Sequence, residues 1–360
     1  MAMPGWVASN FEMTSSMASA CSPPQTCHRS STTFPSWLRS PRRQPAQLVQ
    51  RIPAIAVIMR PVRHAGLGVS LLSMGACSSA DLGFPADAPG RIGRYPSAVP
   101  TFMARNRSMY YRDEGSGPVV VLLPGQTASS AHFTREIRQL RSTHRVIAPD
   151  FVGTGMSQRV ASFSSDFWVQ AAADVLALMT HLGEEHYILV GCSGGGIVAL
   201  ILAAMRPELV HAIVLDSTPE WITPADLEHI LAERRAHFAE SREFWEKGHG
   251  DDWERVVSCD SDFLQALAAQ GGLHLGKWLM KVECPALMVA STADELLPRA
   301  AEDAWRLACQ IRRGRLYVTC EGGHPVAWTA PDEFDHVVGG FLAQIPLMGR
   351  DGGAAAPDAE

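Results

Sequence analysis

From about residue 107 the chain alternates short, uninterrupted apolar runs with longer segments of helical period. Val119-Val120-Val121-Leu122-Leu123 is one such run, and Val146-Ile147-Ala148, Tyr187-Ile188-Leu189-Val190, Ala212-Ile213-Val214-Leu215, Ala286-Leu287-Met288-Val289 and Leu316-Tyr317-Val318 follow it. Each is too short for a helix and lacks polar alternation, the pattern of strands covered on both faces of a parallel sheet. Residues 107–112, ending at Gly115, read as an antiparallel strand, while 165–182 and 195–205 have helix length. The expectation is an α/β domain with a doubly wound, mostly parallel sheet, whose functional residues sit in loops beyond the carboxyl ends of the strands.

One interruption breaks this alternation. Between the run ending near Asp216 and the one beginning near Ala286 there is almost no strand signal, and the stretch opens with Thr223-Pro224-Ala225-Asp226. Thr223 as N-cap, Pro224 in the first turn and Asp226 reaching back predict a helix start. Helix is expected through Glu246 and again from Asp260, with Trp221, Trp245, Trp253 and Trp278 in the insert. It reads as a small helical cap inserted after the sixth strand, its tryptophans facing an apolar pocket or gluing the cap to the core.

Composition separates the amino-terminal part from the rest. Residues 1–58 hold five arginines and one acid, Glu12, leaving 26 basic and 36 acidic residues in the remainder. This first segment is rich in Ser, Pro and Thr without period, as expected of a disordered leader or misannotated extension. Met59-Arg60-Pro61-Val62-Arg63-His64, an uncharged stretch to Ala76 and Cys77-Ser78-Ser79 have the three parts of an export signal. Translation is expected to start at Met59, with the alternative a leader on a cytoplasmic protein. The domain limits are then 1–58 leader, 59–80 signal, 81–100 linker, 101–218 and 282–345 α/β core, 219–281 cap and 346–360 disordered tail.

Overall charge is −6 and no basic stripe occurs, which argues against nucleic-acid binding. The eight cysteines show no C-x-x-C spacing, so a zinc ribbon is excluded; a Cys309–Cys320 bridge is conceivable in an exported protein. No phosphate loop, dinucleotide fingerprint or H-E-x-x-H motif occurs, so neither cofactor nor metal is expected. Oligomeric state is not legible.

The sharpest chemical motif is Gly191-Cys192-Ser193-Gly194-Gly195, which follows a strand and leads straight into a helix. A strand–turn–helix G-x-S-x-G holds its serine on a strained bend at a helix N-terminus, beside unpaired N–H groups. Cys192 is the rival nucleophile, but centring the motif there would place Val190 where a small residue is needed, so Cys192 is assigned to packing. Serine needs a base, and the base an orienting acid. Asp294 follows the strand at 286–290, and His324 follows the strand at 316–319. Asp216 is the alternative acid, and neighbouring Glu295 is expected to be solvated.

These features resemble the α/β-hydrolase fold superfamily, as a serine hydrolase with a helical cap, over roughly residues 100–345. The match includes Leu123-Pro124-Gly125-Gln126, Pro149-Asp150-Phe151-Val152-Gly153-Thr154-Gly155-Met156-Ser157 and the loops of Asp294 and His324. The resemblance implies Ser193 as nucleophile, His324 as general base, Asp294 as its partner, and an oxyanion hole from the N–H groups of Gln126 and Gly194. Asp150 would belong to a structural turn. Many members have histidine where this chain has Pro124, a departure beside the oxyanion loop. Leu72-Ser73-Met74-Gly75-Ala76-Cys77 resembles a bacterial lipoprotein signal, departing from it at Met74, which implies a lipid anchor at Cys77.

Serine at the elbow, where the family's dehalogenases and epoxide hydrolases carry aspartate, implies acyl transfer. The expected substrate is a small or medium, mostly apolar ester, thioester, lactone or amide. A C–C bond hydrolase, a cofactor-free perhydrolase and a noncatalytic small-ligand binder are the alternatives.

Overall fold

The computed structural model describes residues 100–346. The expected leader, the signal with Cys77, nearly all of the linker and nearly all of the tail lie outside these residues. Ten strands and ten α-helices occur among the described residues. β1 (Thr101–Ala104) and β2 (Arg107–Gly115) form a hairpin, followed by β3 (Val119–Leu123), α1 (Thr134–Leu140), β4 (Arg145–Pro149), α2 (Phe167–His181), β5 (Tyr187–Cys192), α3 (Gly194–Met205) and β6 (Val210–Asp216). The insert holds β7 (Trp221–Ile222), α4 (Pro224–Ala236), α5 (Arg242–His249), α6 (Trp253–Ala269), β8 (Leu273–His274) and α7 (Gly276–Leu279). The core resumes with β9 (Ala286–Ser291), α8 (Ala300–Gln310), β10 (Gly314–Thr319), α9 (Val326–Thr329) and α10 (Pro331–Leu342).

Eight strands form one sheet in the order β1-β2-β4-β3-β5-β6-β9-β10, antiparallel where β2 meets β1 and β4 and parallel from β4 onward. The apolar runs are continuous because both faces are covered. Val119, Val121 and Leu123 of β3 enter the core shared with α2, α3 and α8, while Val120 and Leu122 enter the one under α1 and α10. Each fully buried Val or Leu contributes roughly 1.5–3 kcal/mol of hydrophobic free energy. That is the main force holding the sheet between its helices.

The insert departs from expectation in detail. Thr223 caps α4 through a reciprocal hydrogen-bond pair with Asp226, as its sequence predicts. Helix does not run unbroken to Glu246: the chain turns between α4 and α5, and α6 begins at Trp253 rather than Asp260. Gly250, at φ 77°, ends α5 in the left-handed region that glycine tolerates best. A two-strand pair, β7 with β8, closes the base of the insert. The tryptophans act mainly as adhesive. Trp245 and Trp253 stack at 5.4 Å in a small core of their own, Trp221 is exposed against His274, and Trp278 lies under Lys277 and Lys281.

Cys309 and Cys320 are both free and exposed, so the conceivable bridge is not formed. Cys192 is fully buried and its thiol is pushed well above its usual range by burial and by Asp216, as suits a packing role. No helix among the described residues is long and apolar enough to cross a membrane.

Candidate active site

The end of β5 delivers Ser193 to the sheet's carboxyl edge. Its backbone stands at φ 54°, ψ −119°, strained for a residue with a β-carbon. Small neighbours make the bend possible, since a β-carbon at Gly191 would collide with the Gly195 carbonyl and one at Gly195 with the Leu123 carbonyl. Ser193 N–H donates to the Asp216 carbonyl at 2.7 Å, tying the bend to β6. Gly194 begins α3, so its N–H belongs to the first turn that has no intrahelical acceptor.

Asp294 and His324 reach the same edge from the loops after β9 and β10. His324 Nδ1 lies 2.9 Å from Asp294 Oδ2, with the two side chains 9% and 1% exposed. Asp294 Oδ1 accepts the N–H groups of Leu296 and Leu297, which fixes the carboxylate plane. A carboxylate only accepts, so Nδ1 carries the proton and the neutral ring presents a basic Nε2. Burial disfavours the imidazolium, but the Asp294 hydrogen bond and charge, with Asp216 and Glu295 beyond, outweigh it and raise His324 above its ordinary value. Among the described residues neither Ser193 Oγ nor His324 Nε2 makes a hydrogen bond. Such bonds commonly tighten only when substrate arrives.

Asp216 sits elsewhere. Its carboxylate is fully buried at the end of β6 and accepts the N–H groups of Val326 and Ala327, at 3.2 and 2.8 Å, and the Ser217 hydroxyl. Burial raises it to about 6. Glu295, expected to be solvated, has an exposed side chain that nonetheless accepts the His324 N–H at 3.2 Å. Asp150 is buried and gathers the N–H groups of Ser130 and Met156, holding the β3 and β4 loops together.

The loop after β3 lies against Ser193. A β-carbon on Gly125 would stand 3.3 Å from Ser193 Cβ, and one on Gly194 would stand 2.6 Å from Gln126 Oε1. The Gln126 amide is engaged at both ends: Oε1 accepts from Trp168 Nε1 at 3.1 Å, and Nε2 donates to Asp260 Oδ1 at 2.5 Å. Its backbone N–H has no partner among the described residues. Thr127, next in line, is β-branched yet has φ 54°. Cap contacts hold it there, because Trp245 Nε1 donates to its hydroxyl at 3.2 Å and His249 Nε2 donates to its carbonyl at 3.0 Å.

Sequence reasoning missed Trp168, Arg234, His249 and Asp260. Asp260 leaves a signal: it interrupts the apolar face of α6 formed by Val256, Val257, Phe263, Leu264 and Leu267, and a charge at such a position needs a partner.

Known proteins place this architecture. The family model described as alpha/beta hydrolase fold matches residues 118–241. Serine hydrolase BPHL of Homo sapiens is 29% identical over 245 residues, covering 65% of this chain and 82% of that protein. Haloalkane dehalogenase 2 of Mycobacterium tuberculosis (strain ATCC 25618 / H37Rv) is 32% identical over 133 residues, which cover 37% of this chain and 45% of that protein. Among solved structures, an esterase from Exiguobacterium antarcticum is similar in fold, with TM-score 0.57, 20% identity and coverage of 68% of this chain and 99% of the other. So is the enol-lactonase from Burkholderia xenovorans LB400, with TM-score 0.54, 21% identity and coverage of 68% and 100%. With its eight-stranded mostly parallel sheet, its Ser193 elbow and these similarities, the chain has the α/β-hydrolase fold and is an enzyme of that fold.

Proposed function

We propose that the protein is a serine hydrolase that cleaves a small or medium, mostly apolar acyl substrate, an ester foremost, through a Ser193 acyl-enzyme. The supporting observation is the pairing of His324 Nδ1 with Asp294 Oδ2, which leaves Nε2 as the free base at the edge where Ser193 is held. His324 Nε2 takes the hydroxyl proton as Ser193 Oγ attacks the acyl carbon. Asp294 stabilises the imidazolium, and the N–H groups of Gln126 and Gly194 receive the oxyanion. The protonated ring then gives its proton to the leaving group, and water repeats the sequence to release the acid. Ser193 favours this course over the alkyl-ester chemistry of dehalogenases, despite the partial similarity to haloalkane dehalogenase 2.

Purified protein should turn over p-nitrophenyl esters of graded chain length, with short and medium chains preferred, while a lactone and a peptide amide serve as comparisons. Absence of turnover across the whole panel contradicts the proposal. Export from Met59 with acylation at Cys77 is a companion proposal, tested by the mass of the native N-terminus. A chain beginning before Met59 and uncleaved at 76/77 contradicts it.

A further inference from the structure

We infer that Asp260 of the cap, neutralised by Arg234, is a positioning residue for Gln126, so that seating of the cap sets the oxyanion site rather than merely covering it. This rests on the serine-hydrolase reading above.

Asp260 is 3% exposed on α6, and its two oxygens have different partners. Oδ1 takes the Gln126 amide at 2.5 Å; Oδ2 takes Arg234 Nη2 of α4 at 2.8 Å, and Arg234 Nη1 continues to the Ser261 hydroxyl at 2.8 Å. Trp168 of α2 closes the other end of the amide. The result is one chain of hydrogen bonds from two cap helices, through the residue lying on Gly194, to the core. The Arg234 and Asp260 side chains are only 9% and 4% exposed. A buried ion pair gains little net stability after desolvation, so geometry is the better account of its presence here.

Three physical consequences follow. Fixing both ends of the Gln126 amide restricts the backbone of the same residue, whose N–H is the proposed oxyanion donor. Such donors work only within about 2.7–3.1 Å of the developing charge. The Arg234 charge also matters, because an uncompensated Asp260 carboxylate would oppose the oxyanion. Finally, the strained Thr127 beside Gln126 is held by Trp245 and His249 of the cap, a second independent tether on the same loop.

The test measures kcat, KM and the rate of fluorophosphonate inactivation for Asp260→Ala, Asp260→Asn, Gln126→Ala and the Gln126→Ala/Asp260→Ala double variant, with p-nitrophenyl butyrate as substrate. Asp260→Ala should lower kcat and the inactivation rate together by about 10–100-fold, the order expected for misplacement by an ångström, with KM changed less than about threefold. Asp260→Asn, which keeps an acceptor for Gln126, should recover part of the loss, and should show the same kcat-weighted split if the alanine variant does not fold. In the Gln126→Ala background, removing Asp260 should cost less than about twofold, since coupled residues are not additive. A change confined to KM, or effects that multiply in the double variant, overturns the positioning role while leaving the hydrolase reading intact. A wild-type protein that neither turns over ester nor labels at Ser193 overturns both.

Discussion

Asp216 lies at the end of β6 beneath the loop of His324, and it binds that loop through the backbone N–H groups of Val326 and Ala327 rather than through the imidazole. It therefore holds the histidine loop in place. Asp216→Asn replaces one acceptor by a donor facing those N–H groups and should destabilise the fold by about 1–3 kcal/mol. Removing its charge should move the acid limb of activity to lower pH, because that charge helps raise His324. Chemical denaturation and a pH–rate profile check both. A loss of kcat as large as that of Asp294→Asn would mean that Asp216 is the orienting acid.

In the proposed mechanism the pH dependence follows from His324. It must be neutral to act as base, and its pKa lies above the ordinary 6.5, so kcat/KM should rise with pH through an apparent value above 6.5. Asp294→Asn removes the largest influence that raises it and leaves the ring without its acceptor. The limb should shift down, and kcat should fall by about 10³–10⁴-fold. Steady-state kinetics between pH 5 and 9 give both numbers, and an unshifted limb would contradict the pairing.

Strands buried on both faces were readable because such burial demands unbroken apolar runs, and the elbow was readable because few residue types survive at Gly191 and Gly195. The Asp294 and His324 pair was legible from the places of the two residues after β9 and β10. β1 was missed because its four residues end in a turn of Arg105 and Asn106, both at positive φ, with no glycine to mark it. β7 and β8, two residues each, give no period to detect. The cap's polar clasp was illegible for another reason: which buried charge meets which loop depends on how α4 and α6 pack over Gln126, and spacing along the chain does not encode that.

Two histidines, His249 buried and His132 half-buried, fasten the cap to the loop after β3. His249 accepts the Gly155 N–H at 2.9 Å while donating to Thr127, and His132 donates to the Phe244 carbonyl at 3.0 Å. Burial lowers both to about 4. The unfolded chain therefore takes up protons first on acidification. Each histidine's contribution is whole above pH 6.5 and lost as pH falls toward about 4, roughly 3 kcal/mol per site at the limit. His249→Gln keeps a donor and an acceptor without a titration. Wild type should lose stability relative to it across that window, and a pH-independent difference would exclude the neutral clasp.

Glu136 carries the opposite sign. It lines an apolar cavity of about 330 Å³ with Leu122, Val190 and Phe334, its Oε2 is buried with no hydrogen-bond partner among the described residues, and burial raises it to about 7. Its raised pKa favours the folded state fully below the ordinary 4.5, and that advantage disappears as pH rises through about 7. Relative to wild type, Glu136→Gln should thus be up to ~3 kcal/mol more favourable at pH 8 than at pH 4.5. Urea unfolding at the two pH values measures this, and an unchanged difference would show that the carboxyl ionises normally.

Ser193 itself offers the most direct measurement: reaction of the folded protein with a fluorophosphonate, followed by intact mass and peptide mapping. A single adduct on Ser193, absent from a folded Ser193→Ala variant that no longer hydrolyses p-nitrophenyl butyrate, is the expected result. An unmodified Ser193 in folded protein, or full ester hydrolysis by Ser193→Ala, would contradict the proposed chemistry.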